Sequence, residues 1–372
     1  MTSAAGDFRH NNFDLIRLLA ALQVALVHII NQLHIEGGFV HIAAGILGQF
    51  PGVPIFFLVS GLLVSRSFEQ STGLGEYLRN RALRIYPALW VCLLVTLATI
   101  LAFGFARLGT ATTLDWLRWW AAQMSVFQAD RPGFFAGFGT GAVNASLWTI
   151  PIELSFYLLL PALYWLLGLR RRRGTLALTA LMVPSFGLHF AYFNWSSFTD
   201  APGPPLWLGA NIPPHLWMFL AGVLIQRNFE RVRPWVTNRV GAWLIAFGAL
   251  AIAARAAHFG VGGVNMNPLS FVALAGLVMA CALSFPSLSQ RLLRDNDISY
   301  GFYIYHLPVI NVLITLGLTR TVTAAILALI LSLMLATASW FFIERPFLRR
   351  KRGALHARVE HHDHGLTSIA LR

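Results

Sequence analysis

The chain has 372 residues, 56% of them hydrophobic and 12% charged, with a formal net charge of +13 and a mean hydropathy of +0.62. Soluble domains carry roughly 25% charged residues, so a soluble globular class is excluded. The basic excess does not point to nucleic acid either, because the arginines fall between apolar runs and not on one patch.

The first apolar run, Asn12 to Gln32, lacks a small-residue cleavage site and reads as a retained helix. It carries Asp14, Arg17 and His28. At ~100° per residue, the steps from Arg17 to His28 amount to three turns plus ~20°, so both side chains share one face, roughly 16 Å apart along the axis. Asn31 and Gln32 extend that stripe at i+3 and i+4. Ionisable groups in a membrane segment are costly and face a bundle interior or a watery cavity. The stripe is therefore read as one wall of a site.

Given a need for roughly 20 apolar residues per crossing, the sequence holds about ten transmembrane helices. They centre on residues 13–33, 50–67, 83–105, 147–167, 174–193, 213–228, 240–258, 267–285, 298–318 and 322–343. The expected fold class is all-α, a polytopic membrane protein. Prolines crowd the second and sixth spans (Pro51, Pro54, Pro213, Pro214), and broken spans are tolerated where they border a protein-lined cavity. With the N-terminus in the cytoplasm, all of the 28 basic residues except Arg107, Arg118, Arg131, Arg255 and Arg320 lie inside. The positive-inside rule then makes both termini cytoplasmic. Cys92 and Cys281 both fall within spans, so no disulfide framework is expected. Residues 1–348 form a single membrane domain, and 349–372 a basic, His-rich cytoplasmic tail (His356, His361, His362, His364) more consistent with disorder than with a metal site.

Between spans three and four, TLDWLRWWAAQMSVF is amphipathic and reads as an interfacial helix. The aromatic stretch after residue 194 has two readings. Its tryptophans belong to an interface belt, or Trp148, Trp195 and Trp207 give sugar rings a surface to stack on.

Several residues could carry chemistry. His28 lies roughly 20 Å into the first span, and Glu153, about 9 Å from the outer end of the fourth, reaches the same depth. A carboxylate beside an imidazole would fix its tautomer and raise its basicity, as a general base requires. The plainer reading has Glu153 satisfying backbone near Pro151. Arg81 and Arg84, at i,i+3, project to one side. They are an orientation signal and lipid contact, or an anion site in which guanidinium forks meet phosphates. His306 is about 12 Å in from the cytoplasmic end of the ninth span, well below His28. Tyr303 and His306 share a face there, as a structural pair or as the lining of a passage. Glu344 is expected to pair with a nearby arginine.

FDLIRLLAALQVALVHII, PGVPIFFLVSGLLVSRSF, the Arg81-to-Arg84 pair, SLWTIPIELSFYLLLPAL and ISYGFYIYHLP occur in that order. Together they resemble the acyltransferase 3 family of integral-membrane acyltransferases, over nearly the whole chain. The resemblance implies transfer of an acyl group, usually acetyl, from cytoplasmic acyl-CoA to a hydroxyl of a carbohydrate or glycolipid at a bacterial inner membrane. It implies His28 as general base or transient acyl carrier, supported by Arg17, Arg81 and Arg84, and it calls for acetyl-CoA and no metal. The chain stops shortly after Glu344 and lacks a Gly-Asp-Ser motif, which implies a stand-alone transferase. An exopolysaccharide, lipopolysaccharide or glycoside acceptor is then expected ahead of peptidoglycan. A glycolipid transporter or flippase would use the same polar stripe as a pathway.

Overall fold

The computed structural model describes residues 11–104, 112–123, 125, 133–135, 137–169, 173–197, 214–285 and 287–349. Arg9, Arg107, Arg131, Arg170 to Arg172, Trp207 and the His-rich tail lie outside the described residues. The elements are α1 (Phe13–Gln32), α2 (Gly38–Gln49), α3 (Gly52–Gln70), α4 (Leu74–Ala102), α5 (Thr113–Gln123), α6 (Thr149–Leu166) and α7 (Arg173–Phe193). After them come α8 (Leu216–Arg227), α9 (Phe229–Val236), α10 (Val240–Ala256), α11 (Pro268–Ser284), α12 (Leu288–Leu293), α13 (Ser299–Thr315) and α14 (Val322–Ser339), with a π-helical turn at Trp340–Glu344. A two-residue antiparallel pairing, Val261↔Met266 and Gly262↔Asn265, closes the turn between α10 and α11.

A helix stands at each of the ten places that hydropathy marks, but six stretches are long and apolar enough to cross a membrane, or seven if the bent pair α9–α10 counts as one. The difference is physical. α8 has 12 residues and extends ~18 Å against a hydrocarbon core of ~30 Å. α10 meets α9 at a bend of 89°, and α11 and α13 stop at 17 residues each. The amphipathic tryptophan segment does form a helix, α5, with Trp119 buried against Phe135.

The bundle is built around α13, which is buried on every side from Ser299 to Asn311, as expected of a helix apolar all round. α1 and α14 pack against it, α3 packs on α8, and α10 on α11. Two helix prolines serve as docking points. Pro308 has no N–H for the carbonyl of Ile304, four residues earlier. That oxygen instead accepts from Asn144 Nδ2 at 2.7 Å and from Cys92 Sγ at 3.4 Å. Pro161 likewise leaves the Tyr157 carbonyl to accept from the Tyr77 hydroxyl at 3.0 Å. Freed backbone in membrane helices is satisfied by neighbouring elements in this way.

The closest helix contact is α3 on α8. A Cβ added at Gly222 would lie 2.0 Å from the Leu58 carbonyl oxygen, and one at Gly61 would lie 2.0 Å from that of Phe219. Small residues permit such backbone approach. Gly222→Ala is therefore expected to destabilise the protein by roughly 1–3 kcal/mol through overpacking, read as a lower melting midpoint in detergent. Ala at Gly248, where an added Cβ meets nothing within 4 Å, should leave the midpoint unchanged.

Candidate active site

Two clusters lie at opposite ends of the α1–α13 contact. At the first, Arg17 Nη1 and Arg84 Nη2 both reach Asp297 Oδ2 at 2.5 Å. Asp297 Oδ1 also accepts from the backbone N–H of Ser299 at 3.2 Å and from its hydroxyl. Arg84 Nη1 stands 3.7 Å from Glu344 Oε2, so the partner expected for Glu344 is Arg84. Glu344 closes the π-helical turn and accepts from Ser339 Oγ at 3.1 Å, while Trp340 at the start of that turn donates to Asn296 at 2.8 Å. π-turns of this kind often mark functional sites.

At the second cluster, His28 Nδ1 lies 2.9 Å from His306 Nε2, with the two rings 5.1 Å apart and 20° from coplanar. His306 is fully buried and His28 half-buried. The depth expected for His306, well below His28, is thus not what the structure shows. The helix starts are not level: Asp297, just ahead of α13, meets Arg17, which is already one turn into α1. Glu153 is not the partner of His28. Its carboxylate accepts from the Tyr157 hydroxyl one turn along α6.

The histidine hydrogens follow from what their partners can do. His306 Nδ1 lies 3.3 Å from the Phe302 carbonyl, which only accepts, so this nitrogen carries the hydrogen. In the neutral ring His306 Nε2 is then bare and accepts from His28 Nδ1–H. His28 Nε2 is left with its lone pair.

Between the clusters lies a cavity of about 270 Å³. Arg17, Arg81, Arg84, Glu153 and Tyr303 line it, together with Ser60, Asn80 and Tyr157. The histidine pair lies one ring beyond. Tyr303 contacts His306 at 5.9 Å between centroids and is fixed by Thr149 Oγ1 at 2.8 Å and the Ser146 carbonyl at 3.0 Å. The two arginines of the i,i+3 pair differ. Arg84 belongs to the ion cluster, whereas Arg81 donates to Ser67 at 3.2 Å and lies over the Tyr157 ring at 5.6 Å. Arg81 Nε and Ser60 Oγ are buried without a hydrogen-bond partner. Of the tryptophans, Trp148 packs on His215 at 5.6 Å and Trp195 is half-buried. Among the described residues no group of His, Cys, Asp or Glu could hold a metal ion.

Asp297 was missed by sequence reading. Its signal was its position at the foot of the ISYGFYIYHLP stretch, on the side where Arg17 and Arg84 were expected. Burial pushes its carboxyl up, but Arg17 and Arg84, with Ser299, hold it well below the usual carboxylate range. A group depressed in the folded state stabilises fully above its ordinary value near ~3.9 and loses that contribution as pH falls towards the folded value. Asp297→Asn should cost roughly 3–5 kcal/mol, because two buried guanidiniums lose their shared partner. The gap in melting midpoint between wild type and variant should stay constant from about pH 5 to 8 and narrow only below about pH 4.

Residues 10–343 match the model of the acyltransferase domain family, acyltransferase 3. Nodulation protein 10 of Rhizobium leguminosarum bv. viciae is 33% identical over 94% of this chain and 96% of its own length. An O-acetyl transferase of Shigella phage Sf6 is 25% identical, covering 92% of this chain and 97% of the phage protein. The peptidoglycan O-acetyltransferase OatA of Listeria monocytogenes is 26% identical over 92% of this chain, which spans 56% of that longer protein. No solved structure matches the chain. A family match across all but the two ends, with a relative 33% identical over nearly its whole length, makes this chain an acyltransferase of the acyltransferase 3 family.

Proposed function

We propose that the protein is a membrane O-acyltransferase that moves an acyl group, acetyl first, from cytoplasmic acyl-CoA to a hydroxyl of a carbohydrate acceptor. The observation that carries this reading is the order along one axis: an arginine-lined cavity, the Tyr303 ring, then a histidine pair with a bare nitrogen. Relatives named as O-acetyltransferases and a peptidoglycan O-acetyltransferase support the sugar acceptor. The positive-inside count supports a cytoplasmic arginine-rich end, which is where acyl-CoA is available.

In the donor half, Arg17 and Arg84 are held by Asp297, and Arg84 also faces Glu344. Arg81 is left with hydrogen-bonding capacity for a phosphate. The cavity lies just below the range of roughly 300–1,000 Å³ common for ligand pockets, so it takes the slim pantetheine arm and its thioester, with the nucleotide outside. Glu153 orients Tyr157, whose ring faces Arg81.

In the chemical step the acceptor oxygen attacks the thioester carbonyl carbon and its proton passes to His28 Nε2. The C–S bond then breaks, and the CoA thiolate leaves and takes that proton. A transient acyl group on His28 Nε2 is the alternative route through the same nitrogen.

Labelled acetyl-CoA should bind wild type in nanodiscs saturably, and Arg81→Ala should lose most of that binding. His28→Ala should keep it while losing roughly 10²–10⁴-fold in turnover if His28 is the base, and nearly all turnover if it carries the acyl group. Absence of binding at millimolar donor would overturn the acyl-CoA reading and favour transport. His306→Ala should lower kcat while donor binding is retained. His306→Gln, whose amide oxygen can accept from Nδ1–H, should restore part of it.

A further inference from the structure

A second cavity, of about 760 Å³, shares no lining residue with the arginine cavity and falls within the usual volume range of ligand sites. α7, α8, α9, α10 and α11 enclose it. Its wall is apolar, with Phe186 from α7, Ile225 from α8, and Phe271 and Met279 from α11. α10 and α11 are locked together at its back, since a Cβ added at Gly276 would lie 2.1 Å from the Trp243 ring. The groove is therefore fixed by packing on that side.

Its length and its one charge identify an occupant. Along α11 the lining runs from Pro268 to Met279, or roughly 16 Å, which is about half of a ~30 Å hydrocarbon core. With α9 closing the opposite end, the groove is long enough to take one acyl chain along its length. The charged side chain in the lining is Arg231, on α9. α9 follows α8 at the arginine-rich end, where Arg227 pairs with Glu69 at 3.3 Å, and turns 89° from α10. Trp235, one turn beyond Arg231, also lines the groove, is 67% exposed and carries Arg239 over its ring at 5.9 Å. A short helix with arginine and tryptophan at the end of a membrane bundle lies in the headgroup layer. Among the described residues Arg231 makes no salt bridge.

We propose that this groove binds an anionic phospholipid, with one acyl chain lying between α7 and α11 and the phosphate on Arg231. The chain fills the apolar wall, and the phosphate pairs with the exposed Arg231 at the headgroup level. This lipid site is separate from the transfer reaction.

The test uses the full chain purified in detergent, with its melting midpoint read after adding phosphatidylglycerol or phosphatidylcholine of the same acyl chains. Phosphatidylglycerol should raise the wild-type midpoint by about 5 °C more than phosphatidylcholine does. Arg231→Ala should lose that difference, as should Val272→Trp, which fills the groove from a position already 60% exposed. Arg81→Ala, in the other cavity, should keep it. Equal shifts by the two lipids, retention of the difference in both groove variants, or its loss in Arg81→Ala would overturn the proposal. Native mass spectrometry of the wild type challenged with both lipids needs no variant. Selective retention of phosphatidylglycerol supports the site, and retention of a prenyl phosphate in its place overturns it.

Discussion

The Asp297 carboxylate is the point on which the arrangement depends. It accepts from Arg17 on α1 and Arg84 on α4 while standing at the foot of α13. One side chain therefore sets the level of three helices. From Arg17 to His28 is roughly 16 Å of helix. From Asp297 to His306 the chain turns at Ile298 (φ −82°, ψ 1°) and then makes seven helical steps of ~1.5 Å, a comparable reach once the long Arg17 side chain is counted. Because α1 and α13 run in the same direction, the ion pair at one end delivers the two imidazoles to each other at the other. A buried ion pair contributes little net stability once desolvation is counted, but it can fix register, and register is what the histidine contact requires.

The same cluster decides which cation is available to a ligand. Arg84 is engaged by both Asp297 and Glu344, and pulling it towards a phosphate would strip Glu344 of its salt-bridge partner and Asp297 of one of two, which is costly for buried carboxylates. Among the described residues Arg81 makes no salt bridge; it donates to the Ser67 hydroxyl and lies over the Tyr157 ring. The i,i+3 pair that looks equivalent in sequence is divided into an arginine held in the ion cluster and one outside it, and the division depends on residues more than 200 positions away.

Much of this was legible in the sequence because charge in an apolar run is costly. Arg17 and His28 stood out on one face of α1, Arg81, Arg84 and Glu344 stood out at the ends of apolar runs, and Tyr303 was drawn in only as the i,i+3 neighbour of His306. Two things were hidden. Depth counted from the edge of each apolar run assumes that all helices start level, which set His306 too low and matched His28 to Glu153. Asp297 lies beside Arg291, Arg294 and Asp295 outside the apolar runs, and only the fold shows that Arg17 and Arg84 converge on it. Hydropathy also located the ten long apolar elements without giving their lengths: α8 stops at 12 residues and α9 and α10 meet at 89°.

The histidine pair constrains the chemistry further. On the proposed mechanism, His28 Nε2 takes the acceptor proton and positive charge develops on a ring whose Nδ1–H faces His306 Nε2. The two imidazoles can share that charge, but the relay ends at the Phe302 carbonyl, which cannot take up a proton. Nothing beyond His306 carries the proton away, so it has to leave by the nitrogen through which it arrived. The attacking oxygen and the departing sulfur must then face the same edge of His28. This favours a geometry in which donor and acceptor meet over His28 from opposite ends of the bundle. The thioester comes past Tyr303 from the arginine cavity, and the hydroxyl comes from the end where Asn31 is exposed.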